Sequence, residues 1–468
     1  MAKTTASTRA KTAAKPAAKP AVKPTAKPAP KAALPQAQAA PPAPAPEPAA
    51  APLRARRERL KAKALAAAEA ASRKARDWVP PVVDGPDDPR GAPQMTGGWS
   101  ERVAFVEGAV VVPTSGRGTV QVGGIFGPKG DYIHAGAHWR RGRPLLLPPE
   151  AAPRPRDDLA GNWMWGGLLL NHFGHFLTES TPRLWGLAEV SGLDGIVFLH
   201  KRNAEVTEFH RNFLRLMGFD LPIHVVSRAT RVERLHVPGQ GFGLGRISFG
   251  TAKFRDFFRT AFAPEIRAEG PEKLYVSRSA LGPRKGGVLG ETFLEEHLAA
   301  EGYEVFHPQH HPLEVQIARY RAARRIVALD GSALHLAAFA CAPHQRVAMI
   351  RRRTSSMSNA IVIHLKSFSG SDPDVIDAIR ADWVLAGRGR VDRFSMGEVD
   401  LPVVQAALVA GGYIGAGKVW APLDPAWRDA QVARLHAEFG MEYTALPRAA
   451  GAASADDGAD DDSTGDAE

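Results

Sequence analysis

Residues 273–341 carry the clearest structural pattern in the chain: KLYVSRSALGPRKGGVLGETFLEEHLAAEGYEVFHPQHHPLEVQIARYRAARRIVALDGSALHLAAFAC. Short apolar or β-branched runs alternate in it with polar or glycine-rich corners and with amphipathic helical runs. This alternation predicts parallel βαβ units and therefore an α/β fold. The predicted strands are 274–276, 303–306 and 326–328, and the predicted helices are 291–300, 312–323 and 332–340.

Polar and basic residues follow the predicted strands, at the sheet edge where ligands bind in open parallel sheets. Arginine offers a planar fork to phosphate oxygens, and the first turn of a helix has free N–H groups. The pattern predicts a phosphate or diphosphate site, with a solvated basic loop as the alternative interpretation. Its residues are Ser277, Arg278, Arg284 and Lys285 after the first strand, and Gly331 and Ser332 at the helix start after the third.

A second stretch, LLLNHFGHFLTESTPRLWGL at residues 168–187, predicts an apolar helix with one polar stripe. If 170–180 is helical, Asn171, His175 and Glu179 recur at every fourth position and share one face. A histidine beside a carboxylate in a cleft can act as a general base. The sequence leaves open whether Glu179 or His175 is the base, and a purely structural His–Glu pair is the other interpretation.

Motifs from both stretches, taken together, resemble glycosyltransferase family 61, the DUF563 or capsular-polysaccharide-type group. The resemblance spans roughly residues 160–345. In chain order the motifs are Asn171-His172-Phe173-Gly174-His175-Phe176, Pro182-Arg183-Leu184, LYVSRS at 274–279 followed by Arg284, EVQI at 314–317, and GSAL at 331–334.

The resemblance implies a GT-B-like α/β fold, in which two Rossmann-like domains face each other across a cleft. It implies an inverting, metal-independent glycosyltransferase of capsular polysaccharide biosynthesis that moves a hexosyl or pentosyl group. The partners would be a nucleotide-sugar donor and a glycan or polysaccharide acceptor with a free hydroxyl, and no cofactor is expected. The implied catalytic residues are His175 and Glu179, the donor-binding ones Ser277, Arg278, Arg284, Lys285, Gly331, Ser332 and His335, and the acceptor-side ones Asn171, His172 and Arg183.

Two positions differ from the family pattern. Glu179 stands where aspartate is common, and Asp330 stands where a histidine usually precedes the glycine of the corner. An aspartate places a negative charge beside a predicted anion site. His335, one turn into the following helix, is the residue that would take over part of the role of the histidine that usually precedes this glycine.

The chain of 468 residues is 44% hydrophobic and 23% charged, enough for two globular domains with flanking tails. The single cysteine, Cys341, excludes an internal disulfide framework and favours a reducing compartment. There is neither an apolar span of membrane length nor the apolar core of a secretory signal. We expect a cytoplasmic protein, either free or peripheral at the inner membrane.

The sequence divides into six predicted segments. They are a disordered Lys/Ala/Pro-rich tail at 1–52, a basic helical linker at 53–80, an acceptor-side domain at 81–265, a donor-binding Rossmann-like domain at 266–370, a helical region at 371–450 and an acidic disordered tail at 451–468.

The basic N-terminal tail supports a rival hypothesis about function. Residues 1–50 hold seven Lys and one Arg against one Glu, within repeated Ala-Lys-Pro units. Such a segment stays disordered and can bind phosphates without sequence preference. In this alternative the globular part is a non-catalytic transferase-like module, and residues 1–80 contact nucleic acid or an anionic membrane surface. The oligomeric state is not indicated by the sequence.

Overall fold

A computed structural model describes residues 77–115, 118–201 and 205–447, together with scattered helical positions between 56 and 74. The chain falls into two units, 1–56 and 57–468, and every element named below belongs to the second. The predicted disordered tails at 1–52 and 451–468 lie outside the described residues. Among the helices of the described part, none is both long enough and apolar enough to cross a bilayer.

The first part of the described chain forms a large mixed sheet and its connections. In chain order these are β1 (Val103–Ser115), β2 (Gln121–Phe126), the hairpin β3 (Trp139–Arg140) and β4 (Arg143–Pro144), β5 (Leu146–Leu147), β6 (Asp157–Leu169), helix α1 (Phe173–His175), β7 (Gly195–His200), helix α2 (Glu208–Leu216), β8 (Ile223–Val225), β9 (Thr230–Pro238) and helix α3 (Ala252–Ala261). The strand order in the sheet is β5-β2-β1-β9-β6-β7-β8. Strands β9, β6, β7 and β8 run parallel, whereas β1 is antiparallel to both of its neighbours.

The next part of the chain forms a second sheet and the helices that connect its strands. In chain order the elements are β10 (Lys273–Val276), the outlying β11 (Gly287–Val288), α4 (Glu291–Ala300), β12 (Glu304–Phe306), α5 (Leu313–Ala322), β13 (Arg325–Leu329), α6 (Ala333–Ala340), β14 (Arg346–Ile350), α7 (Asn359–His364) and β15 (Asp374–Ile376). The sheet has five strands, all parallel, in the order β12-β10-β13-β14-β15. Strands β13 and β14 are apolar runs with four of five residues buried, as in sheets covered on both faces. This arrangement confirms the parallel βαβ units predicted for 273–341.

The region 371–450 was predicted to be helical, and its described part, 371–447, forms four strands as well as two helices. Besides β15 it forms β16 (Ile379–Leu385), β17 (Met396–Val399), α8 (Leu401–Ala410), α9 (Pro425–Phe439) and β18 (Tyr443–Pro447). Strands β11, β17, β16 and β18 make a third sheet. Burial in β16 nearly alternates along the strand, which is the period of a half-buried strand.

One hydrophobic cluster joins the first two sheets across the predicted boundary at 265/266. On one side of the boundary it contains Phe213, Phe254 and Phe258, and on the other Ile317 and Leu336. Phenylalanine rings contact one another between helices, with the ring centroids of Phe258 and Phe339 4.5 Å apart. The sheets therefore share a core, and the GT-B division into two domains across a cleft stays a prediction.

Candidate functional site

The segment that follows β6 carries the first half of the candidate site. Instead of one helix over 170–180, α1 passes directly into a π-helical turn at Phe176–Ser180. Such π turns are frequent at functional sites. Asn171 precedes the helix and is exposed, so it does not share a helical face with His175 and Glu179 as predicted. The exposed His172 lies beside His175, with ring centroids 5.0 Å apart.

His175 and Glu179 form a hydrogen-bonded pair with opposite access to solvent. The distance from His175 Nδ1 to Glu179 Oε2 is 2.6 Å. The side chain of Glu179 is fully buried, whereas that of His175 is 30% exposed. With Nδ1 donating to the carboxylate, the free acceptor of the ring is Nε2. Only His175 of this pair can reach a substrate hydroxyl.

The carboxylate of Glu179 is held ionised by a buried arginine from the β3–β4 hairpin. Arg140 Nε lies 2.6 Å from Oε1 and Nη2 lies 2.7 Å from Oε2, a bidentate pair. His138 Nε2 lies 3.8 Å from Oε1. Burial alone would raise the pKa of Glu179, but Arg140 and the two histidines hold that pKa well below its usual range. Glu179 therefore stays a carboxylate at neutral pH.

Arg183 does not fit its predicted acceptor-side role, because its side chain is buried among backbone carbonyls. It donates to the carbonyl oxygens of Ala135 at 2.8 Å and Ala137 at 2.5 Å, and to that of Pro238. Burial lowers the pKa of Arg183 to about 9. Arg183 fixes the backbone that leads to His138 and Arg140.

The second half of the site begins where β10 ends. Ser277 is buried, and its hydroxyl oxygen lies 3.1 Å from Glu291 Oε1 and 2.5 Å from Glu295 Oε1. The backbone N–H of Arg278 donates to the same Glu291 oxygen at 2.6 Å. The hydroxyl of Ser277 thus holds the corner against α4. Because this hydroxyl is buried, it does not fit the predicted role of Ser277 in binding the nucleotide-sugar donor.

The side chain of Arg278 links the corner after β10 to the corner after β13. The sequence predicted that these two corners share one edge of the sheet. Its Nη2 donates to the carbonyl oxygen of Lys285 at 3.0 Å. A Cβ on Gly331 would lie 2.6 Å from Arg278 Nη1, so the guanidinium rests on the glycine backbone. Arg284 and Lys285 are exposed on the 3-10 turn Pro283–Lys285.

Two buried arginines that the sequence reasoning missed, Arg352 and Arg353, complete this basic cluster. Arg352 Nε lies 2.8 Å from Asp330 Oδ1, so the aspartate in the corner is paired with a cation. Burial lowers the pKa of Arg278, and Arg353 acts in the same direction, while Asp330 opposes it. The signal available in the sequence was Arg351-Arg352-Arg353, placed directly after the apolar run of β14.

The two halves meet at Gly174 and Ser332. A Cβ on Gly174 would lie 2.8 Å from Ser332 Cβ, so α1 packs against the start of α6. One turn further, His335 Nδ1 lies 2.8 Å from His364 Nδ1. Burial lowers the pKa of His335 to about 3, with His175 and His172 acting in the same direction. His335 is therefore a neutral partner of His364 beside the site.

No group of three or more His, Cys, Asp or Glu side chains in the described ranges is placed to hold a metal ion. The charged groups at the site include the Arg140–Glu179 pair, the Asp330–Arg352 pair and Arg278.

Fold and site together define an α/β protein in which buried arginines follow the strands of a parallel sheet, and the segment that carries a histidine–glutamate pair adjoins that sheet edge. The family model described as Glycosyltransferase 61 matches residues 173–348. This segment is similar to glycosyltransferase family 61, as the motifs predicted, and the similarity supports a glycosyltransferase. The match begins at the start of α1 and ends within β14, so it includes His175 and Gly331 but stops short of Arg352. No curated protein matches the chain.

Proposed function

We propose that the protein is an inverting, metal-independent glycosyltransferase of the GT-B type. It would transfer a hexosyl or pentosyl group from a nucleotide sugar to a hydroxyl of a glycan or polysaccharide, such as a capsular one. The observation that carries this proposal is the contact of Gly174 with Ser332, which joins the His175 segment to the corner where Arg278 lies. A base and a phosphate-binding cluster on adjoining segments are what a single displacement needs.

On the donor side, the basic cluster neutralises the charge that develops on the leaving nucleoside diphosphate. Arg278 and Arg352 flank the Gly331 corner, and Arg284 and Lys285 stand exposed at its rim. Preorganised cations stabilise a developing phosphate charge without reorganising during the reaction. Cationic side chains take the place of a divalent ion in this scheme.

On the acceptor side, the base is His175 rather than Glu179. The hydroxyl oxygen attacks the anomeric carbon as the bond from that carbon to the diphosphate oxygen breaks on the opposite face, which inverts the configuration. The hydroxyl proton passes to His175 Nε2, and the bonding pair leaves with the diphosphate. Glu179 is too deeply buried to touch a sugar, and it orients the imidazole.

The rival proposal, a non-catalytic module that acts through its basic tail, drew support from Asp330 in the family corner. Because Arg352 pairs with Asp330, this aspartate does not leave an uncompensated negative charge there. The rival therefore has no supporting observation among the described residues. A cytoplasmic location, peripheral at the inner membrane through residues 1–80, remains part of our proposal and rests on composition alone.

The donor site is tested by calorimetric titration of the full chain with nucleoside diphosphates and nucleotide sugars, in EDTA. We expect binding without metal, weakened about 10- to 100-fold in Arg278→Met, since a hydrogen bond to a charged group contributes about 1.5–3 kcal/mol. Arg284→Met should weaken binding less, because Arg284 is exposed. The control is Arg324→Met, an exposed arginine at the opposite end of the same sheet. Absence of binding to every diphosphate would overturn the proposal.

Gly174→Ala tests the contact between the two halves. The added Cβ would lie 2.8 Å from Ser332 Cβ, so either α1 or the Ser332 corner must shift. Because a shift of about 1 Å in catalytic groups can cost on the order of 10²-fold in rate, we expect a clear loss of kcat/KM. The measurement is the rate of diphosphate release from the nucleotide sugar found by calorimetry. Gly417→Ala, with open space around it, is the matched control, and equal rates in the two variants would contradict the proposed geometry.

A further inference from the structure

Arg140, Glu179 and His175 form an unbroken chain of short contacts that leads from the interior to the candidate base. Arg140 contacts both oxygens of Glu179, at 2.6 and 2.7 Å, and Glu179 Oε2 contacts His175 Nδ1 at 2.6 Å. Arg140 and Glu179 are buried, whereas the side chain of His175 is 30% exposed. Arg140 is therefore placed to act on His175 through Glu179.

We infer that Arg140 is a positioning residue for the base: it keeps Glu179 charged and thereby fixes both the tautomer and the protonation range of His175. This inference rests on the proposed function for its catalytic meaning. An ionised Glu179 accepts the Nδ1–H bond and leaves Nε2 as the proton acceptor. Arg140 already balances the buried negative charge of the Glu179 carboxylate. The imidazole of His175 therefore does not need a second proton to balance that charge.

The fold holds Arg140 in place independently of any ligand. Gln240 clamps the preceding residue, Trp139: its Oε1 accepts the Trp139 N–H at 2.7 Å and its Nε2 donates to the Trp139 carbonyl at 2.8 Å. The following residues, Arg141 and Gly142, both have positive φ, as in a tight two-residue hairpin turn. With both neighbours fixed, the guanidinium is preorganised beside Glu179.

Four other histidines lie around this chain. His138 precedes β3, His172 precedes α1, and His335 on α6 is paired with His364 on α7. Burial lowers the pKa of His138, His335 and His364, so these three are neutral near pH 7. The positive charge in direct contact with Glu179 at that pH is thus supplied by Arg140.

Arg140→Gln and Arg140→Lys separate this role from a merely structural one. Without the cation, the uncompensated Glu179 holds a proton on His175 to higher pH. In Arg140→Gln, the acid limb of the plot of kcat/KM against pH should then move to higher pH by about one unit or more. Arg140→Lys retains the charge but not the two-point contact, so kcat should fall while the limb stays near its wild-type position. If Arg140→Gln does not fold, Arg140→Lys alone decides, since a shifted limb or an unchanged kcat in it would contradict the inference.

A second readout does not depend on activity. Diethyl pyrocarbonate acylates neutral imidazoles, so the pH midpoint of His175 modification, read by peptide mass spectrometry, reports its protonation directly. The exposed His436 serves as the internal reference in every digest. A raised midpoint in Arg140→Gln, with the His436 midpoint unmoved, supports the inference, and an unmoved His175 midpoint overturns it. If the wild type transfers no sugar yet the His175 midpoint shifts, the proposed function fails while the coupling through Glu179 stands.

Discussion

Replacement of His175 by alanine is expected to lower kcat for sugar transfer by about 10²- to 10⁴-fold, the usual contribution of general acid–base catalysis. The imidazole is the partly exposed end of the buried chain, and its Nδ1 contacts Glu179, which leaves Nε2 as the proton acceptor. Its loss leaves the acceptor hydroxyl without a base but leaves the arginine cluster around Gly331 intact. Diphosphate affinity, measured by calorimetry, should therefore stay within about threefold of wild type, since only an interaction specific to the transition state has been removed.

His436→Ala is the matched control, because His436 is an exposed histidine on α9. It should leave both kcat and diphosphate affinity unchanged. If His175→Ala keeps near-wild-type kcat, the base lies elsewhere and His172, whose ring is 5.0 Å from that of His175, becomes the residue to replace. If kcat and diphosphate affinity fall together, the variant has disturbed the Ser332 corner, and the rate would carry no information about the base.

The parallel sheet and the meeting of its corners could be predicted because each depends on local sequence. The run RIVAL is buried on both faces, and Gly331 marks the corner that follows it. Once the strands are known to be parallel, their carboxyl ends must share one edge. Arg278 and Gly331 were therefore placed together correctly although 53 positions apart in the sequence.

What the sequence did not reveal depends on burial and on partners distant in the chain. Glu179 in an apolar helix requires a cation, but nothing local indicates that Arg140, on a short hairpin, supplies it. Arg183 and Ser277 have polar side chains inside predicted motifs, yet they bond to interior groups. The run 375–385 contains residues suited to both a helix and a strand, and pairing with β14, β17 and β18 decides in favour of strand.

The Arg140–Glu179 pair also predicts how stability depends on pH. Glu179→Gln should lower the free energy of unfolding at pH 7 by about 3–5 kcal/mol, because it leaves Arg140 buried without its counter-charge. The folded-state pKa of Glu179 is depressed, so its stabilising contribution is complete above the unfolded-state value of about 4.3 and is lost as pH falls toward the folded pKa. The difference between wild type and variant should stay constant from pH 8 to about 5 and shrink below about pH 4.

Denaturant unfolding of the full chain at a series of pH values measures this difference. The control is Glu208→Gln, since Glu208 pairs with Arg215 at an exposed site, where solvent screens the charges. Its unfolding midpoint should match that of wild type at every pH. If Glu179→Gln were as stable as Glu208→Gln at pH 7, the buried Arg140–Glu179 pair would make no net contribution to the free energy of unfolding. A gap that widened on acidification would mean that Glu179 is protonated in the folded protein, in conflict with the carboxylate that the orientation of His175 requires.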